Sequence, residues 1–353
     1  MAETDKKEIR FGLIGCGGVG ISRADALYRC ARTKLGAVSD LDRTRAASVA
    51  ERCGAHIVDS WTDLITRGDI DAVVVSTPPR LHSEMCIAAL RAGKDVLCEK
   101  PLARTVEEGR EILKAADESG RFLATGYNFR FFPSVLKTRE LLDSGLIGEL
   151  DHIRSYAGYS ASEHPYEWLH DAEAMGGGAL RDNGTHLIDL TRYLLGEIED
   201  VQGFVSNRVW NFAGCEDNGM AVLRGSGGQL ASLHASWTEW RGYRFLLETY
   251  GSKGCIKTSI FPMITKVLWS AQRASKPQKR SFYFPMTHVM EHLRSYKWVG
   301  VQSFVLELHA FCDALSGKKT SIATGFDGLR AIEIADAVAG NVPLIPLGRT
   351  ARL

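Results

Sequence analysis

Three side chains with complementary acid–base properties occur in two short polar segments of the chain: Lys100, Asp182 and His186. Oxidation of an alcohol needs a base that takes the hydroxyl proton as hydride leaves carbon. Histidine suits that role because its unperturbed pKa lies near the working pH. The Lys100 ammonium can stabilise the developing alkoxide. A carboxylate such as Asp182 can orient the imidazole or bind a substrate hydroxyl, so the three residue types together predict chemistry at a CH–OH group.

Asp182 and His186 belong to a stretch that is predicted to be helical and that follows three consecutive glycines at 176–178. Residues four positions apart share one helical face, and at 100° per residue Asp189 and Tyr193 fall on the same stripe. Glycines allow a ligand to approach the backbone closely, which favours a binding site. The periodicity alone is equally consistent with a solvated polar face.

The segment Ile9–Gly20 predicts a dinucleotide-binding site. An apolar run predicts a buried strand, the pattern Gly15-x-Gly17-x-x-Gly20 follows it, and residues 21–31 are helix-compatible. Gly15 permits a tight turn, Gly17 lets the backbone approach a pyrophosphate, and Gly20 lets the helix pack on the strand. The N–H groups at the helix start can hold the phosphate charge. The alternative is a glycine-rich turn in an ordinary α/β protein.

A carboxylate follows the second predicted strand. Lys34–Ser39 ends at Asp40, which lies 20 residues after Gly20. A carboxylate there can accept hydrogen bonds from both hydroxyls of the adenosine ribose and would repel a 2′-phosphate. Asp40 therefore predicts NAD in preference to NADP. The alternative role for Asp40 is an N-cap of the next helix.

Strands and helices alternate over residues 1–126, which predicts a doubly wound parallel sheet, a Rossmann dinucleotide-binding domain. Ligands bind such sheets beyond the carboxyl ends of the strands. Gly15, Asp40, Thr77 and Lys100 each follow a predicted strand, so we expect them to converge on one crevice. Most lysines are solvated surface charges, but the position of Lys100 at a strand end favours a role in the site.

Residues 127–353 are predicted to form a second α/β domain with an open, mostly antiparallel sheet, whose last helices can pack back on the first domain. Apolar residues alternate there, which is typical of strands, and glycine-rich turns separate some of the segments. The predicted strands are 150–157, 201–210, 220–224, 229–237 and 243–250, and the closing helices are 301–315 and 328–338. The segment Lys276–Arg280 is expected to be a solvated loop.

Composition restricts the classes of protein. The 353 residues suggest about two domains. The net charge of +1 gives no general attraction to nucleic acid or an anionic membrane. No apolar run is long enough for a membrane span, and the charged N-terminus lacks a signal-peptide core. The eight cysteines form no C-x-x-C pair. We therefore expect a cytoplasmic protein with reduced thiols and without a metal site.

The order and spacing of the motifs resemble those of the glucose–fructose oxidoreductase/inositol dehydrogenase/MocA (Gfo/Idh/MocA) family of NAD(P)-dependent oxidoreductases. The matching landmarks span nearly the whole chain: Gly15-x-Gly17-x-x-Gly20, Ser76-Thr77-Pro78 with Leu81-His82, Glu99-Lys100-Pro101, Gly126-Tyr-Asn128-x-Arg130-Phe131, Gly176-Gly-Gly with Asp182-x-x-x-His186-x-x-Asp189, and Asp327-Gly-Leu-Arg-Ala.

The resemblance implies site residues and an assembly. In inositol dehydrogenase-like members the matching lysine, aspartate and histidine form the catalytic trio, and the bond before Pro101 is often cis. The outer face of the second sheet mediates dimers or tetramers in the family. His82 is expected to cap or pack a helix rather than act in catalysis. The predicted cofactor contacts are Gly15, Gly17, Gly18, Val19, Gly20, Asp40, Ser76, Thr77, Pro78, His82, Glu99 and Lys100.

The resemblance fades where the substrate would bind. The candidates for contact with substrate hydroxyls are Lys100, Asn128, Arg130, His164, Tyr166, Trp168, Asp182, His186 and Asp189. Trp168 is suited to stack on the face of a sugar ring. The residues between 164 and 168 are equally consistent with ordinary packing.

Together these observations predict an NAD-dependent dehydrogenase that oxidises a secondary alcohol of a cyclic polyol, a sugar or a sugar derivative, and that forms a homodimer or homotetramer. One alternative is glycoside cleavage by transient oxidation with tightly held NAD, as in some relatives. A second alternative is a non-enzymatic NAD-binding sensor. The intact trio of Lys100, Asp182 and His186 argues against the sensor, which needs no proton acceptor.

Overall fold

A computed structural model describes residues 8–163, 166–272, 275–284, 296–340 and 343–344. The chain divides into two compact units, Met1–Phe131 with Met290–Leu329 and Phe132–Val289 with Arg330–Leu353. The helices are α1 (Gly18–Arg29), α2 (Arg43–Cys53), α3 (Trp61–Thr66), α4 (His82–Arg91), α5 (Val106–Ser119), α6 (Pro133–Asp143), α7 (Ala172–Met175), α8 (Thr185–Leu195), α9 (Tyr296–Leu315) and α10 (Gly325–Val338). The segment Met290–Leu329, which includes α9, thus belongs to the first unit, although most of the second unit precedes it in the sequence.

The first unit contains a six-stranded parallel sheet with the order β3-β2-β1-β4-β5-β6. Its strands are β1 (Ile9–Ile14), β2 (Thr33–Ser39), β3 (His56–Ile57), β4 (Ala72–Val75), β5 (Asp95–Glu99) and β6 (Leu123–Gly126). The predicted doubly wound sheet is confirmed. The strand order reverses between β1 and β4, and a dinucleotide binds such a sheet at this switch point.

Side-chain caps explain where several helices of this unit begin. Asp42 accepts hydrogen bonds from the backbone amides of Thr44 and Arg45 at the start of α2, and Ser60 accepts one from Asp63 at the start of α3. Such caps satisfy amides that have no partner within the helix. Helix α1 is different because it begins at Gly18, inside the glycine motif and earlier than predicted.

The second unit contains an eight-stranded sheet with the order β14-β13-β12-β11-β7-β10-β9-β8. Its strands are β7 (Leu150–Gly158), β8 (Ile198–Ser206), β9 (Asn218–Gly225), β10 (Leu230–Ser236), β11 (Arg244–Gly251), β12 (Gly254–Ser259), β13 (Ile264–Trp269) and β14 (Gln278–Tyr283). Neighbours are antiparallel except for β7 and β10, which are parallel. The prediction of a mostly antiparallel sheet is confirmed.

The prediction of a solvated loop at Lys276–Arg280 is wrong in part. Gln278–Tyr283 forms β14 and pairs with β13 along its whole length. Most side chains of this edge strand are exposed, and Phe282, which packs against the apolar cluster that contains Leu141 of α6, is only partly buried. The alternation of buried and exposed side chains that would have identified a strand is therefore missing.

One face of the second sheet is buried and the other is not. In β9, Ala221 and Leu223 are buried, whereas Met220 and Val222 between them are exposed. Helices α6 and α8 pack on the sheet, and their contacts are with β12, β13, β7 and β10. Among the described residues, no helix combines the length and apolar character that a membrane crossing requires.

Candidate active site

The glycine turn after β1 has the geometry of a phosphate-binding turn. Gly15 has φ +92°, and a Cβ there would lie 2.5 Å from the carbonyl oxygen of Ser76. A Cβ on Gly20 would collide with the carbonyl group of Gly15. By contrast, no described atom lies within 4 Å of the position that a Cβ on Gly17 would take. Internal packing thus requires glycine at 15 and 20, and the open side of Gly17 fits a pyrophosphate.

Asp40 follows β2 and is held by two backbone amides. Its Oδ2 accepts a hydrogen bond of 2.6 Å from the amide of Cys16, and its Oδ1 accepts one of 2.7 Å from the amide of Asp42. Each carboxylate oxygen keeps a further lone pair, which suits it to accept a ribose hydroxyl. The alternative role for Asp40 as a helix N-cap is wrong, because the side chain of Asp42 caps α2.

The loops after β4 and β5 are joined by His82, whose side chain is fully buried. Its Nδ1 lies 2.9 Å from the carbonyl oxygen of Pro101, and its Nε2 lies 2.8 Å from the carbonyl oxygen of Thr77. Burial lowers the pKa of His82, although the two carbonyl groups oppose that shift. The bond between Lys100 and Pro101 is cis, as the resemblance implied.

Glu99 also has an internal partner. Its carboxylate pairs with the buried guanidinium of Arg23, which pairs in addition with Glu307. Among the predicted cofactor contacts, the side chains of Glu99 and His82 are thus buried and have partners within the protein. Their contact with a cofactor stays a prediction.

Asn128 and Arg130, which were predicted to bind substrate, are anchors within the first unit. The Asn128 side-chain amide donates a 2.8 Å hydrogen bond to Ser303. Arg130 donates one of 3.2 Å to the carbonyl oxygen of Ser321 and lies 3.5 Å from a carboxylate oxygen of Asp327. Both side chains are buried. These contacts fasten residues of the segment 303–327 to the turn that follows β6, and contact of Asn128 and Arg130 with a substrate stays a prediction.

Asp182 and His186 lie on neighbouring turns in the second unit. A π-helical turn, Leu180–Gly184, leads directly into α8. Asp182, His186 and Asp189 are all buried. The alternative of a solvated polar face is therefore wrong for these three residues.

Asp182 is surrounded by aromatic donors that the sequence analysis did not identify. Its Oδ2 accepts a 2.7 Å hydrogen bond from the hydroxyl of Tyr159 and a 3.0 Å hydrogen bond from the indole N–H of Trp237. Burial, and next the charge of Asp182, raise the pKa of Tyr159 far above its ordinary value. The phenol therefore stays protonated and donates, and Asp182 is the acceptor.

The two donors follow β7 and β10, the parallel pair of the second sheet. Gly158 is paired with Ser236 at the carboxyl ends of these strands, so Tyr159 and Trp237 emerge at the same sheet edge. The sequence does show an aromatic residue directly after each of these two strands. It could have predicted that both residues lie at the site only if the parallel pairing of β7 and β10 had been known.

Further aromatic side chains pack around this edge. The hydroxyl of Tyr243 donates a 3.3 Å hydrogen bond to Oδ1 of Asn183, and the rings of Tyr243 and Tyr159 are stacked with centroids 6.2 Å apart. The His170 ring meets that of Trp237 edge-on at 5.6 Å. Burial lowers the pKa of His170, and the charge of Asp182 opposes this shift.

Two further predictions concern the segment 164–168. Trp168 is half-buried, and its ring is stacked on that of Tyr166 at 6.1 Å between centroids. Its predicted stacking on a sugar stays a prediction. His164 lies outside the described residues.

Two of the three glycines before Asp182, Gly177 and Gly178, lie against other atoms of the chain. A Cβ on Gly178 would collide with the backbone of Glu216. The Glu216 carboxylate accepts hydrogen bonds of 2.8 Å from the amides of Gly178 and Leu180. The glycines were expected to let a ligand approach the backbone. At Gly178 this space is taken by Glu216, whose hydrogen bonds hold the turn before Asp182 in place.

Comparisons with known proteins agree with this architecture. Residues 9–127 match the family model "Oxidoreductase family, NAD-binding Rossmann fold", and residues 135–257 match the model "GFO/IDH/MocA C-terminal domain". The chain belongs to the GFO/IDH/MocA family of oxidoreductases, and its first sheet is the NAD-binding Rossmann fold of that family. The resemblance seen in the sequence is confirmed.

Several relatives are similar over nearly the whole chain. Inositol 2-dehydrogenase 2 of Saccharopolyspora erythraea is 31% identical over 345 residues, which are 95% of this chain and 93% of the relative. Inositol 2-dehydrogenase of Rhizobium meliloti is 28% identical over 340 residues, 95% and 97% of the two chains. The structure of a levoglucosan dehydrogenase in complex with NADH is 25% identical with a TM-score of 0.85, and the match covers 97% of this chain and 100% of that chain.

Proposed function

We propose that the protein is an NAD-dependent dehydrogenase that oxidises a secondary alcohol of a cyclic polyol, a sugar or a sugar derivative. The observation that carries the proposal is the buried pair of Asp182 and His186, with the Asp182 carboxylate fixed by Tyr159 and Trp237. Relatives named inositol dehydrogenase and levoglucosan dehydrogenase support the same class of substrate.

In the proposed reaction, the imidazole of His186 accepts the proton of the substrate hydroxyl as hydride leaves the same carbon. Bound NAD supplies the hydride acceptor at its nicotinamide ring. The Lys100 ammonium stabilises the developing negative charge on the oxygen. Asp182 is held as an acceptor by its two donors and orients the hydroxyl or the imidazole. That Lys100 of the first unit and His186 of the second act on one oxygen is part of this proposal.

The chain offers groups that match NAD rather than NADP. The carboxylate of Asp40 follows the second strand, and it is fixed by the amides of Cys16 and Asp42. A 2′-phosphate on the ribose would be repelled by this charge. We propose that the ribose hydroxyls of NAD bind Asp40 and that the pyrophosphate lies against Gly17.

An NADH-formation screen against inositols, hexoses, anhydrosugars, amino sugars and nucleotide sugars tests the proposal. We expect absorbance at 340 nm to rise with one of these classes and His186→Ala to abolish most of the rise. Binding of NAD without turnover across the panel would favour the sensor. Release of a sugar from glycosides without net NADH would favour the glycoside hydrolase.

We also propose that the protein is a homodimer or homotetramer assembled through the uncovered face of the second sheet. Phe204 of β8 pairs with Met220 of β9, and both side chains are exposed together with Val222. A contiguous exposed apolar patch on a sheet favours association. A cytoplasmic location is supported by the eight cysteines, all of which are free thiols.

A further inference from the structure

Lys100 lies between two residues that are each fixed by a buried side chain of the first unit. On one side, the Glu99 carboxylate pairs with Arg23. On the other side, the carbonyl oxygen of Pro101 contacts the ring of His82 at 2.9 Å. We propose that His82 and Arg23 are positioning residues that place the Lys100 ammonium for catalysis. This inference rests on the proposed role of Lys100.

His82 is placed to control two loops at once. It is the first residue of α4, and its ring bridges the carbonyl oxygen of Thr77 after β4 and that of Pro101 after β5. The two strands are neighbours, with Val75 of β4 paired with Cys98 of β5. The ring therefore sets the distance between the two loops beyond the strand ends.

Arg23 provides the second anchor. It lies in α1, directly after the glycine turn, and its guanidinium is fully buried between Glu99 and Glu307. The ring of Phe304 lies 4.1 Å from the guanidinium carbon, and a Cβ on Gly126 would lie 2.5 Å from one of its nitrogens. The guanidinium is thus enclosed on several sides, so Glu99 has little freedom to move.

A lysine needs such anchors more than a short side chain does. Its four-carbon stem is flexible, so fixing the ammonium in one place has a large cost in side-chain entropy. A reacting group displaced by about 1 Å can lose roughly 10²-fold in rate. A backbone fixed at positions 99 and 101 limits the directions that the Lys100 stem can take.

The test is a double-mutant cycle on the full-length protein with NAD and the substrate found in the screen. His82→Leu removes both ring contacts, His82→Gln keeps one donor, and Lys100→Met removes the ammonium. Ser60→Ala is the matched control, since it removes the cap of α3 in the same unit and is far along the chain from the Lys100 loop. Each variant is measured for kcat, KM and the dissociation constant of NADH.

We expect His82→Leu to lower kcat by roughly 10- to 100-fold while the dissociation constant of NADH changes less than about threefold. His82→Gln should restore part of kcat. In the Lys100→Met background, His82→Leu should cause little further loss, because residues that act through one group are not additive. Ser60→Ala should leave kcat unchanged.

A second readout needs no substrate. Lysines labelled by reductive ¹³C-methylation give NMR signals, and the Lys100 signal is the one missing from Lys100→Met. We expect this signal to shift in His82→Leu and in Glu99→Gln, but not in Ser60→Ala. Glu99→Gln weakens the contact with Arg23 and is preferred to a substitution of Arg23, which would take this cation away from the buried carboxylates of Glu99 and Glu307.

The outcomes separate the inference from the proposed function. Full activity of Lys100→Met would show that the proposed role of Lys100 is wrong. If Lys100→Met is slow but the single variant His82→Leu turns over at the wild-type rate, the inference is wrong and the proposed role of Lys100 still stands. Losses that multiply in the double variant would also overturn it, because His82 would then act through another group. If His82→Leu does not fold, the NMR signal of Lys100 in His82→Gln and Glu99→Gln decides the question. An unshifted signal in both variants would overturn the inference, and a shifted signal would support it.

Discussion

The backbone amide of Cys16 donates a 2.6 Å hydrogen bond to Oδ2 of Asp40, and this bond ties the end of β2 to the glycine turn after β1. The turn that is proposed to bind the pyrophosphate and the carboxylate that is proposed to bind the ribose are thus joined by a direct hydrogen bond. The second oxygen of Asp40 is held by the amide of Asp42, so both oxygens have a defined direction.

Asp40→Ala is expected to raise the KM for NAD by roughly 10- to 100-fold, because it removes hydrogen bonds to a charged group. It should also relieve the exclusion of NADP, so that the ratio of kcat/KM for NAD over NADP falls. Asp42→Ala is the control, since it removes the cap of α2 and leaves its own amide in place. A wild-type protein that prefers NADP would contradict the role of Asp40.

The elements that could be predicted from the sequence are those whose signal is local. Helix α2, Arg43–Cys53, is an example, because a side-chain cap precedes it and a glycine ends it. Helix α6 was not predicted, because its buried residues include the polar Ser134 and Thr138 beside the apolar Val135 and Leu141. The Thr138 hydroxyl donates to the carbonyl oxygen of Ser134 and lies within hydrogen-bond distance of the Thr258 hydroxyl in β12. Polar residues at buried positions weaken the hydrophobic periodicity that predicts a helix.

The site could be predicted only in part, because some of its contacts join residues that are distant in sequence. Asp182 and His186 are four positions apart and were identified from their spacing. Tyr159 contacts Asp182 only because of the way the strands of the second sheet pair. Asn128 shows a second limit. Its side-chain amide donates to Ser303, which lies 175 positions away, and the sequence does not reveal such a long-range contact.

Tyr159→Phe is expected to lower kcat by roughly 10-fold, because it removes one of the two aromatic donors to Oδ2 of Asp182 and a hydrogen bond to a charged group is worth about 1.5–3 kcal/mol. Tyr156→Phe is the matched control three residues earlier, in β7, since its hydroxyl donates to Glu239 instead. Steady-state kinetics on both variants check this prediction. Equal losses in the two variants would argue against a specific role for Tyr159.

His186→Ala is expected to lower kcat by roughly 10² to 10⁴-fold, the usual contribution of a general base. Binding of NADH should be retained, because the glycine turn and Asp40 belong to the other unit. His56→Ala, at an exposed position in β3, serves as the control histidine. Full turnover by His186→Ala would rule out the assignment of the base.

Phe204→Asp is expected to shift the protein toward the monomer in sedimentation velocity, because a charge placed opposite Met220 would be buried in the proposed interface. Tyr28→Asp, at an exposed position in α1, should leave the assembly unchanged. A wild-type protein that is monomeric at micromolar concentration would contradict the proposed interface.

Glu197 links stability to pH in the second unit. Burial raises its pKa, but hydrogen bonds from Arg192 and Arg330 outweigh burial and hold the pKa below the ordinary 4.5. The Nε of Arg330 donates at 3.0 Å, and an Nη of Arg192 donates at 2.7 Å. Because the pKa is lower in the folded protein, the stabilisation is present above about pH 4.5 and is lost as pH falls through the folded-state pKa.

Glu197→Gln is therefore expected to lower the free energy of unfolding at pH 7 by roughly 1–3 kcal/mol. The difference from wild type should shrink between about pH 5 and pH 3, where the wild-type carboxylate takes up its proton. Urea unfolding at several pH values measures this. Asp200→Asn is the control, because the pair of Asp200 and Arg224 is exposed and such pairs contribute about 0–1 kcal/mol. A difference that stays constant with pH would mean that the Glu197 charge does not provide the stabilisation.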